Sequence, residues 1–348
     1  MTDQLSLSTT AFGEALYSLR RYYYRDILHL VPKPQNIKTV LRRGIWIHAC
    51  LEAYRKHGDF MPALDSLCTY GIEIGLDEQD IADRRAETER IMMGWVNFYW
   101  GEAPWETYAT EERLETVIGG TKLTCTLDWR GRVPQYGHLI GEYKSTGNIP
   151  SPSWRSVDPQ TALQTIIASR QPDMEPVDGI IFDYLLTKEP SVPAVKKDGE
   201  FYANALDRET TTAAFLKGAE KVREVRGRGI PEVEGYIGEC RSHMVNDAKF
   251  YQRYVVIKPT AILKETIASV AYVAGKINMA KRMDHWPCEC PQLVRQRFCP
   301  YGRLCTIEAT TGRPAEGIRE AEFVVDDGVR EGDAALLKYG SFFEGEEE

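Results

Sequence analysis

The sequence predicts a mixed α/β domain, a mixed sheet flanked by helices, with a cysteine cluster near its C-terminal end. Three observations carry this. Apolar residues recur at helical spacing before residue 100. A block over 111–149 then alternates like strands and is punctuated by glycines. Helix, strand and helix patterns follow it, an order that suits a sheet covered on its faces rather than a bundle or a sandwich. With 348 residues, 43% of them hydrophobic and 27% charged, the chain can bury a sizeable core. Wholesale disorder and a disulfide miniprotein are both excluded.

A tyrosine- and arginine-rich helix is expected over 8–31, ended by Pro32 and Pro34. A second runs from about Ile37 to His57, with Val40, Leu41, Ile45, Ile47, Leu51 and Tyr54 on one face and Gly58 as its C-terminal cap. A third covers about 78–100. Strands are read in ERLETVIGG, TKLTCTLDWRG and HLIGEYKSTG, turning at Gly119, Gly120, Gly131 and Gly137. Asp158 and Pro159 open a helix over 158–170 as N-cap and first residue. A buried strand follows at 178–187, a loop or hairpin at 188–205, and helices near 209–226 and 260–282. One domain over 1–310 with a loosely held acidic tail over 311–348 is the simplest division.

The net charge of −8 argues against a simple nucleic-acid coat, but the charge is unevenly spread. Residues 306–348 hold 12 acidic and 4 basic side chains, 251–305 hold 3 and 9, and 1–60 hold 5 and 9. Basic stretches on a near-neutral body are compatible with a polyanionic substrate. The acidic tail is read first as a solubilising segment; Phe342 and Phe343 would serve if it recruits a protein partner. No apolar run reaches membrane-span length and no secretory signal opens the sequence, so the expected address is the cytoplasm.

Cys288, Cys290, Cys299 and Cys305 fall close together, whereas Cys50, Cys68, Cys125 and Cys240 are scattered. Without an export signal, such a cluster points to a metal or iron–sulfur site rather than to disulfides. Four thiolates suit a 4Fe-4S cluster or a structural Zn²⁺. The Cys-x-Cys spacing is short for either, and Cys50 could replace Cys288 or Cys290 as a ligand.

The chemistry-bearing pattern is Asp128 in one strand and Glu142-Tyr143-Lys144 in the next. Side chains alternate along a strand, so Glu142 and Lys144 share a face. In a hairpin Asp128 can sit beside Glu142, and two carboxylates at that range repel unless a cation lies between them. A hard divalent ion with oxygen ligands satisfies both. Lys144 could then orient or deprotonate water, or neutralise charge on phosphorus. Alone, an E-x-K tripeptide is more often a surface ion pair.

In context these residues resemble the PD-(D/E)XK nuclease superfamily, whose signature is D…(D/E)-x-K. GIWIHACLEAY, with Gly44 and His48, resembles the first motif of its RecB-like branch, and DPQTALQ resembles the Q-x3-Y helix, with Gln160 first and Gln164 where the tyrosine would stand. DGIIFDYLLTKEP and CPYGRLC are similar to its later strand and to the end of the iron–sulfur RecB-like exonucleases, including CRISPR-associated ones and phage relatives. The resemblance spans about 8–305. It implies a restriction-endonuclease-like fold and a metal-dependent DNA nuclease, typically an exonuclease of recombination, repair or replication that acts on DNA ends or single strands. It also implies Mg²⁺ or Mn²⁺ on His48, Asp128, Glu142 and the Tyr143 backbone carbonyl, with Lys144 and Gln160 in the catalytic set. The family's N-terminal cysteine ligand is absent here.

Arg20, Arg21 and Arg25, with Arg42 and Arg43 of the second helix, are the expected phosphate contacts, while most of the Tyr22–Tyr24 run is expected to pack. The alternatives are a non-cleaving DNA-binding or assembly factor, and a nuclease acting on RNA or on branched structures.

Overall fold

The structure is a computed structural model that describes residues 4–33, 39–99, 105–202, 210–289 and 299–325. In chain order its elements are β1 (Ser6–Ser8), α1 (Thr9–Tyr17), α2 (Leu19–Tyr22), β2 (Leu30–Pro32), α3 (Thr39–His57), α4 (Met61–Glu73), α5 (Glu78–Tyr99), β3 (Glu106–Ile118), β4 (Thr121–Val133) and β5 (Gly137–Thr146). There follow α6 (Pro152–Ser156), α7 (Pro159–Ala168), β6 (Gly179–Leu186), α8 (Thr212–Arg226), α9 (Pro231–Met244), β7 (Tyr251–Val256), α10 (Thr260–Met283), α11 (Gly302–Thr311), α12 (Glu316–Glu322) and β8 (Phe323–Val325).

Six strands form one mixed sheet. β4 pairs antiparallel with β3 and β5, β5 parallel with β6, β6 antiparallel with β7, and β1 parallel with β4. The register contains a fork. β3 covers one edge of β4 from Thr121 to Arg132, so the other edge is shared. There β1 takes Lys122–Thr124 and β5 takes Trp129–Val133, and 125–128 are left between them.

Two layers cover the sheet. On one face α1, α7 and α10 bury Phe12, Leu163, Ile167, Val270, Val273 and Ile277 against Leu123, Leu127, Ile140 and Phe182. On the other, α3, α4 and α5 bury Trp46, Leu51, Leu64, Ile91 and Trp95 against Trp129, Tyr143, Ile181 and Leu185. The α8–α9 hairpin, between β6 and β7, has its own small core around Phe201, Phe215 and Ile237.

Several expectations are corrected. The helix over 8–31 is broken at Ser18, which is buried and extended (φ −163°, ψ 120°) and sends its N–H back to the Glu14 carbonyl at 2.7 Å. A π-helical turn, Tyr23–Ile27, follows α2. Helices α4, α6, α9, α11 and α12 go beyond the expected set. Gly71 in α4 and Gly235 and Gly238 in α9 interrupt the local signal of these two helices, and packing overrides it. The tail is not loose from 311 onward. β8 pairs with β2, Lys33 N–H donates to the Glu322 carbonyl at 2.9 Å, and Phe323 stacks on Tyr301. Phe342 and Phe343 lie outside the described residues.

The join between the chain ends centres on Glu308, which is 7% exposed. It accepts hydrogen bonds from Tyr24 Oη at 2.7 Å, Arg20 Nη1 at 3.2 Å and Arg319 Nε at 3.1 Å. Asp26, beside this join, has a buried Oδ2 with no hydrogen-bond partner. Burial raises its carboxyl to about 6, with Arg25 opposing and Glu14 adding to the rise. The folded state therefore prefers the neutral acid. Nothing is lost below pH ~4, where both states are protonated, and stability falls as pH rises from ~4 to ~6. Asp26→Asn is expected to stabilise by about 1–2 kcal/mol at pH 8 and by almost nothing near pH ~2.5, read as paired thermal melts.

Candidate functional site

The fork in the sheet opens a cavity of about 450 Å³. It is lined by Asp128 of β4, Glu142 of β5, His48 of α3, Gln160 and Gln164 of α7, and Arg25, Arg113 and Glu111. Ser8, Thr9 and Thr10, where β1 runs into α1, and Thr124, Cys125 and Thr126 complete it.

Strand separation explains how Asp128 is aimed. The β4–β5 ladder stops at the Trp129↔Gly141 pair. The next bond is made by the Asp128 side chain, whose Oδ2 accepts the Tyr143 N–H at 2.7 Å. Opposite, Glu111 has φ 48°, an uncommon value for a residue with a side chain. Leu127 packs in one layer and Trp129 in the other, so strand alternation slips at Asp128. A strand residue's N–H and C=O face the same edge. The Tyr143 carbonyl therefore faces the fork too, while its ring is buried in the second layer.

His48 stands on the same helix as buried Ile47 and Leu51 and keeps a third of its side chain exposed at the cavity; its Nδ1 is 3.7 Å from Asp128 Oδ2. Glu142 is 5% exposed. Its Oε1 accepts from Lys144 Nζ, and its Oε2 accepts from Gln164 Nε2 at 3.2 Å. Burial alone would raise the Glu142 carboxyl, but the Lys144 ammonium, the Gln164 amide and His48 together hold it below its ordinary value. Burial pushes Lys144 down, and its pairing with Glu142 more than offsets this, so the lysine is held above its ordinary value and stays protonated at neutral pH. In this state Lys144 is a cation and hydrogen-bond donor rather than a base.

The donor chemistry fits a divalent cation. The carboxylate residues Asp128, Glu142 and Glu111 and the His48 imidazole line one cavity, and Gln164 Oε1, on a residue 3% exposed, is buried there without a hydrogen-bond partner. The donors are not drawn together: among the described residues no group of three or more His, Cys, Asp or Glu side chains is close enough to hold a metal ion. Lys144 and the Tyr143 N–H each occupy one carboxylate oxygen.

Gln164 is the residue that sequence reasoning undervalued. Its one signal was its place one turn after Gln160 on the same helix face, where the family pattern has tyrosine. Gln160 lines the cavity, and its backbone N–H caps onto Asp158 at 3.0 Å. Gln164→Leu would leave Glu142 Oε2 without its donor. If the cavity takes Mn²⁺, this substitution is expected to weaken its binding about tenfold, read by paramagnetic resonance.

The five arginines expected at phosphate separate. Arg42 is 2% exposed and points into the protein, which corrects its assignment. Arg20 is committed to Glu308 and to the Trp286 carbonyl, Arg21 pairs with Glu14 at 2.6 Å, and Arg43 pairs with Glu87 at 2.8 Å. Arg25 lines the cavity. Arg113, not anticipated, joins it there. Tyr22 and Tyr24 are buried, as packing required. Glu112 is held by Arg130 across the β3–β4 pair.

Cys299 and Cys305 are buried with Tyr24, Leu30, Tyr301, Leu304 and Phe323, and Cys288 packs against them. The Cys288 and Cys305 sulfurs are 2.8 Å apart, and neither is in a disulfide. Cys290 lies outside the described residues. Cys50 is fully buried in the α3–α5 layer, with its thiol pushed up by burial, and takes no place in this cluster. Among the described residues no helix is long and apolar enough to cross a membrane. No family model matches the chain, and no curated protein matches it.

Proposed function

We propose that the protein is a metal-dependent DNA nuclease of the restriction-endonuclease-like, RecB-like type. The observation that supports this reading is the convergence of His48, Asp128 and Glu142, from three separate elements, on one cavity that also holds Arg25 and Arg113. His48, Asp128, Glu142 and the Tyr143 carbonyl would hold Mg²⁺ or Mn²⁺. Such an ion supplies an acidified water and neutralises charge building on phosphorus. The chain's own groups do the rest. Arg25 and Arg113 draw a phosphodiester into the cavity, Gln164 keeps the Glu142 carboxylate turned inward, and protonated Lys144 offers positive charge and a hydrogen-bond donor beside it. Cys288, Cys299 and Cys305, with Cys290 outside the described residues, would serve as ligands of a 4Fe-4S cluster or Zn²⁺ that ties the C-terminal segment to Tyr24 and its neighbours, although the three described thiols are not gathered around a metal position.

The second reading is a DNA-binding factor that keeps the fold without cutting; the Lys144–Glu142 pairing favours it, because it satisfies the glutamate without a metal. End-labelled DNA incubated with Mg²⁺, Mn²⁺ or EDTA separates the two. Metal-dependent shortening supports the nuclease. Binding of equal strength in EDTA, with no cleavage in either metal, supports the binding factor. A matched RNA strand in the same assay tests the choice of nucleic acid.

A further inference from the structure

Beyond α10 the chain runs along the N-terminal segment as a strap over 286–289. Arg20 N–H donates to the Pro287 carbonyl at 3.1 Å, and Arg20 Nε donates to the Trp286 carbonyl. Trp286, 6% exposed, stacks on Tyr23 with ring centroids 5.0 Å apart. Glu289 pairs with Lys276 of α10 at 2.9 Å. Cys288 stands between these anchors. Cys305 lies in α11, 4% exposed, and its N–H donates to the Tyr301 carbonyl at 2.8 Å. Tyr301 Oη in turn donates to the Leu30 carbonyl at 2.7 Å. Both backbones are therefore held in place by contacts that do not involve the sulfurs.

The separation of the sulfurs decides what they suit. The Cys288 and Cys305 Sγ atoms are 2.8 Å apart. Two thiolates on one tetrahedral Zn²⁺, with Zn–S bonds of about 2.3 Å, stand about 3.8 Å apart. Ligands of a 4Fe-4S cluster each take their own iron and stand farther apart still. The pair is already inside both separations. Cys299 packs in the same cluster, yet no group of three His, Cys, Asp or Glu side chains among the described residues is close enough to hold a metal ion. A disulfide needs only two sulfurs, at about 2.05 Å, so closing the pair takes a shift of under about 1 Å.

We propose that Cys288 and Cys305 are a dithiol–disulfide pair, a redox latch that fastens the 286–289 strap to α11. The latch is independent of the nuclease reading. At these two sulfurs it competes with metal ligation, because a sulfur spent in a disulfide is no longer a thiolate ligand. The oxidant is a small disulfide of the glutathione class. Cys288 is the more exposed of the two, so its thiolate attacks first and expels one glutathione thiolate, leaving a mixed disulfide. Cys305 then attacks the Cys288 sulfur and expels the second. Two protein thiols give up two electrons and two protons, and one glutathione disulfide becomes two thiols. The new bond ties points 17 residues apart in sequence and restricts the unfolded chain, while the folded contacts stay as they are.

The test equilibrates the full chain with reduced or oxidised glutathione in EDTA, blocks remaining thiols with N-ethylmaleimide, and maps tryptic peptides by mass. The expected result under oxidised glutathione is one linked pair of peptides, joining Cys288 to Cys305 and lighter than their sum by two hydrogens. The link should be lost again on reduction. The oxidised chain should melt roughly 4 °C above the reduced one, and Cys288→Ser or Cys305→Ser should each abolish that difference. The peptide map uses the unmodified chain, so it does not depend on how the variants fold. Three results would overturn the latch: no Cys288–Cys305 link, or links spread equally over Cys290 and Cys299; a linked chain that melts no higher than the reduced one; and iron or zinc that stays bound through EDTA and shields both thiols from oxidation. DNA cleavage enters none of these readouts, so failure of the nuclease reading leaves the latch standing, and failure of the latch leaves the cavity chemistry untouched.

Discussion

Asp128→Asn is expected to lower metal-dependent DNA cleavage by at least ~10³-fold while leaving the fold intact. The substitution is chosen for what it preserves. The Tyr143 N–H needs an acceptor at the fork, and it now finds Asp128 Oδ2 at 2.7 Å. An asparagine oxygen still accepts there, so the backbone donor is not stranded. What disappears is one of the three carboxylate charges lining the cavity, and with it the Asp128–Glu142 pairing that would make a divalent cation welcome. His48, 3.7 Å away, also loses its anionic neighbour. Melting should shift by no more than about 1 kcal/mol in stability. DNA binding in EDTA should hold or tighten, since a negative charge facing the phosphate has gone. Cleavage at the unmodified rate would remove Asp128 from the chemistry, and the proposed activity would lose its main support.

Gly141→Ala is expected to give the largest loss of stability, about 3 kcal/mol, or roughly 4 °C in the melting midpoint of a chain this long. A Cβ at Gly141 would stand 1.8 Å from Trp129 Nε1 and 1.9 Å from its Cε2. The indole has little room to retreat. It is fully buried, stacked on Trp105 with centroids 5.1 Å apart, and covered by the Arg55 guanidinium 4.6 Å from its centroid. The Trp129↔Gly141 pair is also the last rung before the strands part at Asp128, so displacement here would move the carboxylates. Gly147→Ala, with nothing within 4 Å of its added methyl, is the control and should change stability by less than about 0.5 kcal/mol. Equal melting of the two variants would mean that Trp129 has slack, and that the fork is less rigid than its contacts indicate.

The parts of the site that could be read from the residues are local ones. Asp158 and Pro159 start α7 where capping chemistry places the start, with Asp158 accepting the Gln160 N–H. The turn at Gly137 (φ 85°) folds β4 back against β5, so Asp128 and Glu142 come to line one cavity, and a period of two keeps Glu142 and Lys144 on one face. Periodicity, caps and turn residues act over a few positions, and these features need nothing more.

Other features depend on partners far away in the chain. Ser6–Ser8 is too short to announce itself as a strand, and it becomes one because β5 leaves part of the β4 edge unpaired. Arg42 looked like any basic helix residue until the second layer closed over it. Gln164 became the clasp on Glu142 when α7 settled across β5, and residues 316–325 were drawn to the N-terminal segment by Glu308 and the open edge of β2. Unpaired edges and uncovered faces select these contacts. Which of them remain uncovered is a property of the assembled chain, and no short window of sequence carries it.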